Sequence, residues 1–214
     1  VKSDCIGISR EVQRILYMTK CNPLALAQYG VELDSDPWCT CRSLIKDIMK
    51  PLTRRHFDDG FYNWCAENLA QSKRFKRESS YKNPDTLPHV RARRMVEQAN
   101  PSDACAIGDM QPFIICKAAK ACDGAYDPSM FHRENLGARL DAQYYVVAVW
   151  KGIKGAVAGG KSKQLLPGSM NENTFLQLKP LFQELLTKST RQRTLTDMLG
   201  VKRSGANGDK AEFD

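Results

Sequence analysis

No apolar run in this chain is long enough to cross a bilayer. A spanning helix needs about 20 consecutive apolar residues. The longest uncharged apolar stretch, Ala142–Trp150, is less than half that, so no membrane insertion is expected. Histidine is also scarce. His56, His89 and His132 are the only three, and none sits in a recognisable Ser or Cys nucleophile motif. Internal repeats and heptad arrays are absent, which removes solenoids and long coiled coils. Cysteine, at 8 in 214 residues, is too sparse for a small disulfide scaffold.

The eight are Cys5, Cys21, Cys39, Cys41, Cys65, Cys105, Cys116 and Cys122, an even number that arithmetic allows to pair. Several fall inside apolar helical patterns, and no signal peptide is recognisable. The expectation is therefore mostly reduced, buried thiols in an intracellular protein, cytoplasmic or nuclear. Carboxylates are the scarcer charge: 24 Asp and Glu face 32 Lys and Arg, a net charge of +8. Such an excess favours polyanionic partners.

A length of 214 residues corresponds to one or two domains and buries roughly 70% of the unfolded surface, enough for an ordinary core. The first half reads as helical. Ser9 is placed to cap a helix carrying Val12, Ile15, Leu16 and Tyr17. Asn22-Pro23 opens a short helix that Gly30 closes, and Asp36-Pro37 opens another bearing Trp38, Cys41, Leu44, Ile45 and Ile48. Asp58-Asp59 starts a fourth, which the apolar pattern carries into the cations at 73–77. A loop at 79–88 precedes a helix from His89 to Ala99.

The middle reads differently. Residues 112–116 and 144–150 are rich in β-branched and aromatic types, and both are predicted as short strands. A long loop is expected between them, at 122–137. An amphipathic helix is predicted over 172–188, kinked or split at Pro180. The fold class is thus α+β, mainly helical, with a helical N-terminal half, two strands and an amphipathic C-terminal helix. Residues 1–190 are read as one globular domain, divisible near 100, and 191–214 as a flexible basic tail.

The densest chemistry is a basic cluster. Lys73, Arg74, Lys76, Arg77, Lys82, Arg91, Arg93 and Arg94 stand against Glu78 and Asp85, a local excess of six positive charges. Phe75 and Tyr81 are interleaved. Cations of this density can neutralise phosphates, and flat rings can stack on bases. Lys151, Lys154, Lys161 and Lys163 add a second cationic stretch. The bland reading is a solvated helix end joined to a helix start.

Residues 155–162, GAVAGGKS, fit the spacing G-x-x-x-x-G-K-[ST] and resemble the phosphate loop of P-loop NTPases. That resemblance implies Lys161 at the phosphates and Ser162 at Mg²⁺. The match departs from the family in Lys151–Lys154, which separate the motif from the strand, and in Pro167-Gly168 soon after it. A Gly/Lys surface loop is the plainer reading.

Gln192, Leu195, Thr196, Asp197, Met198, Leu199 and Arg203 resemble the sliding-clamp-interacting peptide of replication and repair proteins. The resemblance implies recruitment to a DNA sliding clamp. Met198 and Leu199 stand where that peptide has two aromatics, so less apolar area is offered to a clamp pocket. The same residues also suit a terminal helix packed on the core.

Metal sets are weaker. Cys39, Cys41, His56 and Cys65 have zinc-binding chemistry, with C-x-C in place of the usual C-x-x-C. Asp109, Asp123, Asp127 and Asp141 surround the predicted strands and have the chemistry for magnesium, as a nuclease would need. The leading expectation is a nucleic-acid-binding protein of low sequence specificity, DNA or RNA, nucleocapsid-like or a replication or repair accessory. A clamp-recruited interaction protein and a nucleotide- or metal-dependent enzyme are the alternatives.

Overall fold

The computed structural model describes residues 6–54, 56–157 and 169–198, with the side chains of 154–157, 169–173, 175 and 190–198 left aside. It is mainly helical with a small antiparallel sheet.

Helix α1 (Gly7–Cys21) buries Ile8, Val12, Ile15 and Leu16, the apolar stripe its spacing requires. Ser9 does not cap it. Helical backbone begins two residues earlier, and Ser9 is buried where Gly152 lets a second helix approach. A 3₁₀ turn (Pro23–Tyr29) follows and ends at Gly30, whose φ of +70° suits glycine. Helix α2 (Pro37–Met49) is capped as expected, Asp36 accepting from the Trp38 N–H at 3.0 Å. Asp58 likewise accepts from the Phe61 N–H at 2.7 Å to start α3 (Asp59–Asn68).

Helix α3 stops well short of the cations. Residues Gln71–Arg74 form strand β1, which pairs antiparallel with β2 (Met110–Ile115) in the register Gln71↔Phe113 to Arg74↔Met110. Their own propensity is poor, and the pairing with β2 decides their conformation. Between the strands lies α4 (Pro88–Ala99), packed across β2 and its other neighbour, β3 (Ala125–Tyr126). The sheet order is β1-β2-β3. The expected loop at 122–137 therefore contains β3 and a short helix, α5 (Pro128–Arg133), capped by Asp127.

The second predicted strand, 144–150, is overturned: Ala142–Val157 form helix α6. The buried positions are Ala142, Tyr145, Val146, Val149, Trp150 and Ile153, a helical repeat that the β-branched composition masked. Asp141 accepts from the Tyr144 N–H at 3.0 Å and starts it. Helix α6 packs on α1 and on α7 (Ser169–Met198), with the Trp150 and Phe182 rings 5.1 Å apart. Helix α7 runs through Pro180 without being split, and residues 191–198, read as the start of a tail, continue it. From 199 onward the sequence lies outside the described residues.

One core joins these elements. The Tyr145 hydroxyl reaches the sheet and accepts the Ile115 N–H at 2.8 Å. Among the described residues no helix is long and apolar enough to cross a membrane.

Candidate nucleic-acid interface

The basic cluster divides into cations committed to the fold and cations facing solvent. Arg94 is committed. Its guanidinium grips Glu78 at 2.6 and 3.1 Å and Asp85 at 2.6 Å, tying α4 to the two short turns before it. The Arg94 contacts hold the Glu78 carboxyl below its ordinary range. Arg93 pairs with Glu97 at 2.7 Å, donates to the Cys105 carbonyl at 3.0 Å and lies over the Phe75 ring. Arg91 is half-buried beside Tyr126. Two of the eight cations, Arg93 and Arg94, are therefore structural, while the Arg91 side chain makes only the ring contact among the described residues.

Lys73, Arg74, Lys76, Arg77 and Lys82 are exposed, and none has an ion pair among the described residues. All five fall within a span of ten residues, 73–82, that the structure describes throughout. Phe75, 2% exposed, plugs it into the core. Its N–H donates to the Asp109 carbonyl and its carbonyl accepts from the Gly108 N–H, both at 2.8 Å. The Arg74 carbonyl and Lys76 N–H consequently face away from β2, and Tyr81 meets them. Its hydroxyl accepts from the Lys76 N–H at 2.7 Å and lies 3.4 Å from the Arg74 carbonyl and 3.1 Å from His89 Nε2. With the His89 proton on Nε2, that hydroxyl accepts twice and donates once.

Phe75 and Tyr81 were expected as rings for stacking bases; burial corrects this for Phe75, while Tyr81 is half-buried. Phe75 is a core anchor, and Tyr81 closes the loop with its hydroxyl. His89 is 4% exposed, and its Nδ1 has no partner among the described residues. Burial and the nearby charge of Lys73 hold its pKa below the usual range.

The second cationic stretch begins on another element. Helix α6 begins at the sheet, where Tyr144 accepts from Gln71 at 2.8 Å. Rising about 1.5 Å per residue, it carries exposed Lys151 roughly 10 Å further along and the Lys154 backbone further still. Gly155, Ala156 and Val157 end this helix, so no strand feeds the phosphate-loop-like motif. Lys161, Ser162 and Lys163 lie outside the described residues. Of the clamp-like peptide, Gln192, Leu195, Thr196, Asp197 and Met198 have helical backbone only, and Leu199 and Arg203 lie outside the described residues.

Cys39, Cys41, His56 and Cys65 are not gathered. No group of three or more His, Cys, Asp or Glu able to hold a metal ion exists among the described residues. Cys41 and Cys65 are buried, His56 is exposed, and burial pushes the Cys41 thiol up to about 11. All described cysteines are free thiols. Three of the aspartates work locally. Asp109 accepts from the Ala106 N–H, Asp127 from Ser129 and Gln111, and Asp141 from Tyr144.

What sequence reasoning missed is the partner surface of β1. Met110 stands opposite Arg74 and is exposed, and Ile107 is exposed in the adjoining turn. Isolated apolar residues around Gly108-Asp109 were the available signal. No family model matches the chain, and no curated protein matches it either.

Proposed function

We propose that this protein binds nucleic acid with low sequence specificity, through phosphate contacts made by the segment 73–82. The observation that carries the reading is the separation of roles just described. Arg93 and Arg94 are held by carboxylates of the fold, while five exposed cations without ion pairs among the described residues remain on a segment pinned at Phe75 and Tyr81. A pinned loop presents its charges with less ordering entropy to lose on binding than a free tail. Base-specific readout needs side chains fitted to groove edges. The helix within the cluster, α4, has Arg93 and Arg94 already paired, which favours backbone contact over sequence reading.

Salt titration tests this. Neutralising five phosphates gives a slope of log affinity against log salt of about −4.5 on duplex DNA and about −3.5 on a single strand. Replacing Lys73, Arg74, Lys76 and Arg77 with Ala should remove most of both slope and affinity. Binding that is indifferent to salt, or unchanged in that variant, overturns the proposal.

A further inference from the structure

Six large apolar side chains are exposed among the described residues, and two of them lie three positions apart, Ile107 in a turn at 61% and Met110 at the start of β2 at 48%. Scattered exposed apolar residues need no explanation, but a pair inside a charged surface does. The turn is bonded to the cationic segment. Gly108 and Asp109 hold both backbone groups of Phe75, and Met110 is the cross-strand partner of Arg74. Such partners sit about 4.5–5.5 Å apart at Cα and project on the same face. The turn's own carboxylate, Asp109, is exposed and fixed to the Ala106 N–H at 3.2 Å.

We infer that this patch takes a single-stranded nucleic acid, with phosphates on Arg74, Lys76 and Arg77 and base faces on Ile107 and Met110. The inference rests on the polyanion reading above and narrows it. A duplex keeps its base faces inside the stack and presents phosphates and groove edges, whereas a single strand offers base faces beside its phosphates. A cation directly across from an apolar side chain matches that alternation. Asp109 repels phosphate from the turn, which leaves the apolar pair to the uncharged bases. An anionic bilayer fits less well. Its apolar layer lies beneath the charged headgroups, and an exposed carboxylate at the tip would be pressed among them.

The experiment is fluorescence anisotropy with the full chain on a labelled oligothymidylate and on a duplex of equal length. The expected result for I107S/M110S is roughly tenfold weaker binding to the oligothymidylate. Duplex affinity and both salt slopes should stay as in the unmodified chain. I107S alone should lose about threefold on the same reasoning. L24S removes an exposed apolar residue elsewhere and should change nothing. Equal losses on both ligands, no loss on either, or the same loss from L24S overturns the inference while leaving the polyanion reading standing. An unmodified chain that binds neither ligand ends both. Loss confined to phosphatidylserine vesicles, with oligothymidylate binding intact, assigns the pair to a membrane surface and also overturns it.

Discussion

The guanidinium carbon of Arg93 lies 4.4 Å from the centroid of the Phe75 ring. This contact joins α4 to the end of β1 and covers the Phe75 ring, which is 2% exposed. Phe75→Ala should therefore destabilise the fold by about 3 kcal/mol, the ordinary penalty for emptying a buried aromatic site. Urea denaturation measures it. Phe75→Leu should recover most of the loss, which a base-stacking role for the ring would not allow.

The two kinds of cation should separate in a salt titration. Each of Lys73, Arg74, Lys76, Arg77 and Lys82, changed singly to Ala, should reduce the slope by about one unit at most and weaken duplex and single strand alike. Arg94→Ala should leave the slope intact and lower stability by roughly 1 kcal/mol, because its partners Glu78 and Asp85 are partly solvated. A reduced slope for Arg94→Ala would show that the guanidinium leaves its carboxylates for phosphate.

Acid should loosen the loop in two stages. His89 has its folded pKa depressed by burial and by Lys73, so between the folded and unfolded values the unfolded chain holds more protons. Its contribution is complete above about pH 6.5 and is lost as pH falls below that. Charging also places an N–H at Nδ1, which has no acceptor among the described residues. Glu78, depressed by Arg94, acts in the same sense, its contribution present above about pH 4.5 and lost below it. The urea midpoint followed against pH should show both declines. His89→Asn should remove the upper one, and Glu78→Gln the lower.

Tyr145→Phe should cost about 1–3 kcal/mol, since the Ile115 N–H is left buried without its acceptor. Its nucleic-acid affinity, compared by anisotropy after thermal melting confirms a folded protein, should be unchanged. The hydroxyl joins α6 to β2 inside the core, away from the exposed cations.

The helical elements were legible wherever a cap and an apolar stripe agreed, as at Asp36-Pro37 with Leu44 and Ile45, and at Asp58 with Phe61 and Cys65. They were misread where composition competed with periodicity. Tyr144–Trp150 looks like a strand by residue type, yet Asp141 and the spacing from Ala142 to Ile153 make a helix. Strand β1 was not legible, because Gln71–Arg74 owe their conformation to residues forty positions away. The cationic cluster was visible as a count of charges, but its division was not. That Arg94 meets Glu78 and Asp85 while Lys76 does not depends on how two short turns fold back onto α4.

The Tyr81 hydroxyl does at the outer side of β1 what another chain would otherwise do. By occupying the Lys76 N–H and approaching the Arg74 carbonyl, it takes up two of the groups through which a second copy could add a strand to this open sheet margin. Tyr81→Phe should release that margin, and stripping the neighbouring positive charges should remove the repulsion guarding it. Light scattering of the two changes combined should then report self-association, so the residues that would hold a polymer also keep the protein from becoming one.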